Sequence, residues 1–224
     1  LSNRSPDSAA LHPGYLKKET EMSRYTGPRL KVMRALGVDL PGLSRKTIAD
    51  RPQPPGQHGA KQQRKSGFGL QLQEKQKLRF NYGLTERQMR RLMADARRSR
   101  GSAGDKLAEL LERRLDNVVF RAGFAGSIPA ARQLVNHKHV LVNGRAVDIP
   151  SFRVRVGDVV SIRPASRTLA VITASLADLA LARPEWLAFD EAAFAVSVSH
   201  LPDVQDIPFP LEMQLVVEYY AQRL

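Results

Sequence analysis

From Ser127 to Val147 the sequence reads SIPAARQLVNHKHVLVNGRAV, rich in donors and free of carboxylates. The flanking acids are Asp116 upstream and Asp148 downstream. A phosphate-binding surface has this character. The arginine fork donates two parallel hydrogen bonds to a phosphate, and a carboxylate on the same face adds repulsion and desolvation. Upstream, Arg113, Asn117 and Arg121 recur every four residues, which places them on one face of a single helix. Asn and Gln side chains suit sugars and base edges. Ser127, an N-cap ahead of Pro129, opens a helix whose free amides suit a further phosphate. The candidate contact set here is Arg113, Asn117, Arg121, Ser127, Arg132, Gln133, His137, His139, Asn143 and Arg145. On this reading, the double change Arg121→Ala and Arg132→Ala weakens polyanion binding and lowers its salt slope by about two units, leaving the fold intact.

Other chemistries find less support. His137 and His139 have no third ligand nearby, so they read as exposed polar groups or RNA donors rather than a metal site. The chain has no cysteine, which excludes disulfides, thiolate metal sites and cysteine nucleophiles. Arg114-Leu115-Asp116 resembles the catalytic aspartate motif of pseudouridine synthases, but the large catalytic domain that should follow is missing, and Asp116 reads as a surface or helix-capping residue. Gly67-Phe68-Gly69 lacks a P-loop lysine and reads as a flexible join. Glu109 and Glu112 read as i,i+4 support for a basic helix. No catalytic residue, metal or cofactor is expected.

The elements that must position these residues begin near Gly69. Thr85 and Gln88 have capping-box spacing at the head of a helix that exits at Gly101. Its stripe of Met89, Leu92, Met93 and Ala96 faces a core, while Arg87, Arg90, Arg91, Arg97 and Arg98 occupy the rest; Arg87, Arg91 and Arg98 join the candidate set. The basic face fits either a solvated surface or RNA contact, and the charge around it favours RNA. One helix is expected from about Asp105 to Ala122 and a shorter one from Ile128 to Asn136. Two strands around Asn143-Gly144 form a type I′ hairpin, and FRVRVGDVVSIRP repeats the pattern around Gly157-Asp158. LEMQLVVEYY forms a buried terminal element.

The net charge is +13 and unevenly placed: 19 basic and 5 acidic residues from Met22 to Arg100, 11 and 6 from Gly101 to Arg167, 2 and 8 from Thr168 to Leu224. Such a cationic block points to a polyanion, with nucleic acid favoured over an acidic membrane surface or protein. No apolar run approaches a membrane span; the richest, LAVITASLADLALA, is broken by Thr, Ser and Asp. Residues 22–65 form a Pro- and Gly-rich arm expected to follow an extended path ordered by its partner. It contributes Arg24, Arg29, Lys31, Arg34, Arg45, Lys46, Arg51, His58, Lys61, Arg64 and Lys65 as a second contact strip. Tyr25 either stacks on a base or simply packs. Residues 1–21 lack a secretory apolar region, carry Asp7, Glu19 and Glu21 against a transit peptide, and are expected to be a disordered leader.

Taken together, RLDNVVFRAGF, SIPAARQLVNHKHVLVNGRAVDIP and SFRVRVGDVVSIR resemble the compact RNA-binding module named after the fourth protein of the small ribosomal subunit. That module is also similar to parts of pseudouridine synthases and a tyrosyl-tRNA synthetase. The flanks SRYTGPRLKVMRALG, PPGQHG, EKQKLRFNYGLTERQ, PEWLAFD and LVVEYY resemble that ribosomal family itself in its bacterial and organellar form, from Met22 to Leu224. Without the zinc-holding cysteines of many relatives, the chain looks like the cysteine-free branch, and DLPGLSRK and SIPAARQLVNH are similar to cyanobacterial and plastid members. Residues 1–21 and about 168–183 depart from the family pattern.

The resemblance implies an α+β fold. A helical domain, residues 66–101 plus 169–224, is interrupted by an RNA-binding module of two helices on a small, mainly antiparallel sheet, residues 102–168, and preceded by the extended basic arm. It implies a non-enzymatic constituent of the small ribosomal subunit, in a bacterial cytoplasm or else a plastid or mitochondrion. Such a protein binds small-subunit ribosomal RNA as a primary binder, helps nucleate assembly, contacts small-subunit proteins five and three, and touches messenger RNA where it enters, with a part in decoding fidelity and no membrane partner. The rivals are a pseudouridine synthase-like RNA-modifying enzyme and a free-standing ribosome-rescue protein.

Overall fold

The computed structural model describes residues 25–57, 59 and 65–221. The leader, Arg24, His58, Lys61 and Arg64 lie outside the described residues. The first described part of the arm is not an extended path. Arg29–Leu36 forms helix α1, which ends at Gly37 with φ 69°, a left-handed conformation natural to glycine. Met33, Leu40 and Leu43 are buried in the main core, so this segment is ordered by its own chain. With Val38 buried as well and Val32, Leu36 and Ile48 packed against the core, the segment docks where breaker residues alone suggested it would stay open.

Helix α2 (Gly67–Asn81) begins where a flexible join was expected. Ser66 caps it, its hydroxyl accepting from the Gly69 amide, and Gly67 to Gly69 become the first turn. Helix α3 (Glu86–Arg98) carries both hydrogen bonds of the Thr85–Gln88 capping box and buries Met89, Leu92, Met93 and Ala96, as the spacing requires. The single helix expected over 105–122 is two: α4 (Ala103–Glu112) and α5 (Leu115–Arg121). Arg114 is extended at φ −68°, ψ 136°. The break is held by pairing with a distant strand-like segment, since Val154 N donates to Arg113 O (2.9 Å), Leu115 N to Phe152 O (2.9 Å) and Asp116 N to Pro150 O (3.1 Å). Those bonds occupy residues 150–154, so the first strand of the expected second hairpin does not form in the sheet.

Helix α6 (Ile128–Asn136) leads into β1 (Val140–Val142) and β2 (Arg145–Ala146), joined by Asn143 and Gly144 at φ 51° and 77°, the two positive angles a type I′ turn needs. Strand β3 (Val159–Ile162) follows a turn in which Asp158 N donates to Arg155 O. After helix α7 (Ala170–Ala177) come β4 (Leu187–Asp190), β5 (Ala195–Val198) and helix α8 (Met213–Ala221). The five strands form one antiparallel sheet in the order β2-β1-β3-β5-β4. Helix α8 packs on α2, α3 and α4, α3 packs on α4, and α5 packs on α6. The architecture is a helical domain of discontinuous segments with an inserted antiparallel module. Helix α4 packs on α3 and α8, and β4 and β5, from the acidic tail, extend the sheet begun by β1, β2 and β3.

The parts meet at Asn81-Tyr82-Gly83, the turn after α2. Gly42 N donates to Asn81 Oδ1 (2.9 Å) and Gly42 O accepts from Ile128 N (2.8 Å), so the arm is stitched between α2 and α6. A Cβ at Gly42 would lie 2.7 Å from the Asn81 carbonyl oxygen and 2.7 Å from Ile128 Cδ1. Backbone cannot yield as a flexible side-chain tip can, so Gly42→Ala is expected to destabilise by about 1–3 kcal/mol, read as a lowered urea midpoint at unchanged m-value.

Candidate nucleic-acid interface

The sequence brings an acid into the middle of the supposed phosphate-binding face, and the structure shows what it does. Asp116 is fully buried. Its Oδ1 accepts from Arg114 Nε (3.1 Å) and Asn117 N (3.0 Å), and its Oδ2 from Arg114 Nη2 (2.9 Å) and from Arg132 Nε (3.1 Å) and Nη2 (2.7 Å). Arg132 in turn donates from Nη1 to Gly83 O (2.9 Å) and from Nη2 to Tyr82 O (3.2 Å). A guanidinium flanked by two carbonyls and a carboxylate has its fork committed inside the protein. The surface or capping role expected of Asp116 is therefore corrected to that of a buried anchor.

A second buried group lies beside it. Glu112, wholly buried, accepts from the Tyr82 hydroxyl on Oε1 and from Asn117 Nδ2 (2.9 Å) on Oε2, with Arg121 Nε 3.5 Å from Oε2. Arg121 Nη2 donates to Asp206 O (2.8 Å). Burial pushes the Glu112 carboxyl above its usual range, although the Arg121 guanidinium and the Tyr82 and Asn117 hydrogen bonds pull the other way. Burial, then the Glu112 charge, pushes the Tyr82 phenol well above its own. Glu109, by contrast, is the i,i+4 partner expected, pairing with Arg113 at 2.5 Å and with Lys106 at 2.7 Å. Burial alone would raise Glu109, but Lys106 and Arg113 hold it below the usual carboxylate range. On α3, burial likewise opposes, and Lys75 and the Tyr220 hydroxyl reverse, the shift of Glu86, which ends low.

The structure thus divides the expected contact residues. Asn117 and Arg121 are buried and Arg132 is nearly so, each bonded within the protein. Four-residue spacing does not put Asn117 and Arg121 on an open face, because α5 has none: every one of its residues is buried, and the break at Arg114 separates Arg113 from them. Arg113 is half-buried, with Nε on Val154 O. Ser127 sits at the N-cap of α6 without a capping hydrogen bond, and Gly42 O already takes the Ile128 amide while Pro129 has none to give. The helix terminus therefore offers far less to a phosphate than expected.

His139 pairs with Ser166 Oγ through Nδ1 (2.8 Å). Asn143 is exposed, yet its amide bridges Asp158 Oδ1 and Val159 N. In the arm, Arg29 donates to Leu43 O, Arg34 to Gln53 O, Arg45 pairs with Asp178, and Lys65 donates to Gln73 Oε1. Of the expected contact residues among those described, Lys31, Lys46, Arg51, Arg87, Arg91, Arg98, Gln133, His137 and Arg145 remain exposed without an internal side-chain bond. Arg155 and Arg163 are exposed as well and were missed; they alternate with apolar residues in FRVRVGDVVSIRP, a pattern that does mark outward positions. Outward cations thus occur on the arm, α3, the hairpin and the β3 region, while the buried cations join those parts to one another.

Residues 24–112 match the family model described as the ribosomal protein S4/S9 N-terminal domain, and residues 113–160 match the S4 domain. The chain is 63% identical over 205 residues to small ribosomal subunit protein uS4B of Nitrosomonas europaea, an alignment covering 91% of this chain and 100% of that protein. It is likewise 63% identical over 205 residues to small ribosomal subunit protein uS4 of Methylobacillus flagellatus, again covering 91% and 100%. Identity to the uS4 protein of Rippkaea orientalis is 51% over 203 residues, or 90% of this chain and 100% of that one.

Proposed function

Since the chain belongs to the S4 family of small ribosomal subunit proteins, we propose that it is a structural, RNA-binding constituent of a bacterial small subunit. The observation that carries this reading is similarity over 91% of this chain combined with a +13 net charge, several of whose outward cations have no ion-pair partner among the described residues. Ribosomal RNA supplies the counter-charge, and binding releases its condensed cations. Within that role, the contact set is Lys31, Lys46, Arg51, Arg87, Arg91, Arg98, Gln133, His137 and Arg145, with Arg155 and Arg163 added. Arg24, His58, Lys61 and Arg64 belong to the same strip by charge.

The finer parts of the role rest on the family resemblance: primary binding that helps nucleate the subunit body, contact with small-subunit proteins five and three, and proximity to messenger RNA where it enters, with an effect on decoding. A cyanobacterial or plastid-like lineage rests on two motifs alone. The pseudouridine synthase rival loses its one residue-level support. Asp116, the aspartate of its motif, has both oxygens bonded by two arginines and no exposed surface from which to attack a uridine. Sedimentation of tagged chain from cells tests the reading. The expected result is about one copy per mature small subunit, retained through a salt wash; recovery only in free protein fractions would defeat it.

A further inference from the structure

We propose that Arg132 is a positioning residue for RNA recognition: held by Asp116, it locks the RNA-binding module onto the α2–α3 turn, so that the outward cations of both lobes meet the RNA as one rigid surface. The proposal rests on the RNA-binding reading above. Its geometry is specific. Arg132 stands on α6 and Asp116 on α5, both in the module, whereas the two carbonyls that Arg132 clasps, Tyr82 O at 3.2 Å and Gly83 O at 2.9 Å, belong to the turn between α2 and α3 in the helical pack.

The receiving turn is shaped for it. Gly83 has φ +59°, and a Cβ there would lie 3.4 Å from Arg132 Nη1, so the guanidinium lies against a backbone position that also needs a left-handed conformation. The same turn takes the arm's Gly42 amide on Asn81 and sends the Tyr82 hydroxyl to Glu112. Arm, helical pack and module therefore converge on three residues.

Rigid linkage matters because the outward cations are split between lobes: Arg87, Arg91 and Arg98 on α3, and Arg145, Arg155 and Arg163 on the module. Two lobes tethered loosely engage one RNA with an effective concentration set by their freedom, and fixing their separation raises affinity without adding a contact. A lysine at position 132 keeps the charge but cannot span two carbonyls and a carboxylate. Arg132→Lys thus separates positioning from direct phosphate contact.

The test uses the full chain and an in vitro transcript of the complete small-subunit ribosomal RNA, titrated across a salt series. Spin labels at Glu191→Cys, in the sheet's β4–β5 turn, and Gln214→Cys, on α8, report the inter-lobe distance without interference from native cysteine. Arg132→Lys is expected to lower affinity about tenfold or more, leave the salt slope unchanged, and broaden the distance distribution while circular dichroism stays native. A merely stabilising residue would lower the melting temperature and leave the folded protein's affinity and distances alone, which would overturn the proposal. Wild-type affinity in Arg132→Lys together with a slope about one unit lower in Arg132→Gln would identify a direct phosphate contact and also overturn it. Should Arg132→Lys not fold, Asp116→Asn is read in the same way, and failure of both to fold would reduce the group to a purely structural role. If the wild-type chain ignores the transcript, the RNA-binding reading fails instead, while the label distances still report on the lock.

Discussion

Arg121→Met is expected to destabilise the folded chain by about 3–5 kcal/mol at neutral pH, because it strands the buried carboxylate of Glu112. Arg121 supplies the counter-charge to Glu112, and its Nη2 also satisfies Asp206 O. Methionine fills much of the same volume, so the cost is electrostatic rather than a cavity. The pH dependence follows from the direction of the Glu112 shift. Its folded-state value lies above the unfolded one, so the stability this group contributes is full below the unfolded carboxylate value and is lost as pH rises through the folded value. Removing Arg121 raises that folded value further. The deficit of the variant against wild type should therefore be largest at neutral pH and shrink on acidification as Glu112 takes up a proton. Glu86 and Glu109, whose folded values are low, contribute stability above the usual carboxylate range and lose it as pH falls, but they do so in both proteins and cancel. Urea unfolding at several pH values checks this, and the double change Arg121→Met with Glu112→Gln should recover most of the loss. A deficit that grew toward acid would contradict the assignment. The same reasoning revises the expectation that Arg121→Ala and Arg132→Ala leave the fold intact.

Local chemistry decided the elements that could be read in advance. Thr85 and Gln88, Asn143-Gly144, and the Met89-Leu92-Met93-Ala96 stripe each involve residues within a few positions of one another, and each forms as its spacing dictates. The misread elements depend on partners far away in the chain. Nothing between Asp105 and Ala122 breaks a helix; the break at Arg114 is imposed by residues 150–154, which leave the sheet to pair with it. The arm's breakers are real, but Met33, Leu40 and Leu43 find a core supplied by later segments.

The site divides along the same line. Charge pattern marks cations, and it does not distinguish one that faces solvent from one that faces a buried acid. Arg87 and Arg91 on α3 share their side of the helix with Asp95, but Asp95 is half-exposed and pairs with Arg153, and the two arginines stay outside. Arg114, Arg121 and Arg132 share the interior with Glu112 and Asp116, and the two acids were the signal: a carboxylate among arginines in an apolar run has to be paired, and it takes the arginines with it. Reading Asp116 as a capping residue removed that signal.

Replacing Arg87, Arg91 and Arg98 together by glutamine is expected to reduce affinity for small-subunit ribosomal RNA by about a hundredfold at moderate salt, with the salt slope falling by about two to three units. All three are exposed on α3, and none has a side-chain partner among the described residues. Asp95, the acid on their side of α3, pairs with Arg153 instead. The fold should survive, because glutamine matches arginine closely in helix propensity and the buried stripe and capping box are untouched. The matching lysine triple separates charge from geometry: it should keep the slope and lose only the affinity that bidentate guanidinium contacts add. Filter-binding titrations over a range of potassium concentrations measure both quantities. An unchanged slope in the glutamine triple would make α3 a solvated face and shift RNA recognition to the arm and the hairpin. A fall in slope without loss of helicity would place α3 against phosphate, in contrast to Arg132→Lys, for which affinity is expected to fall while the slope stays constant.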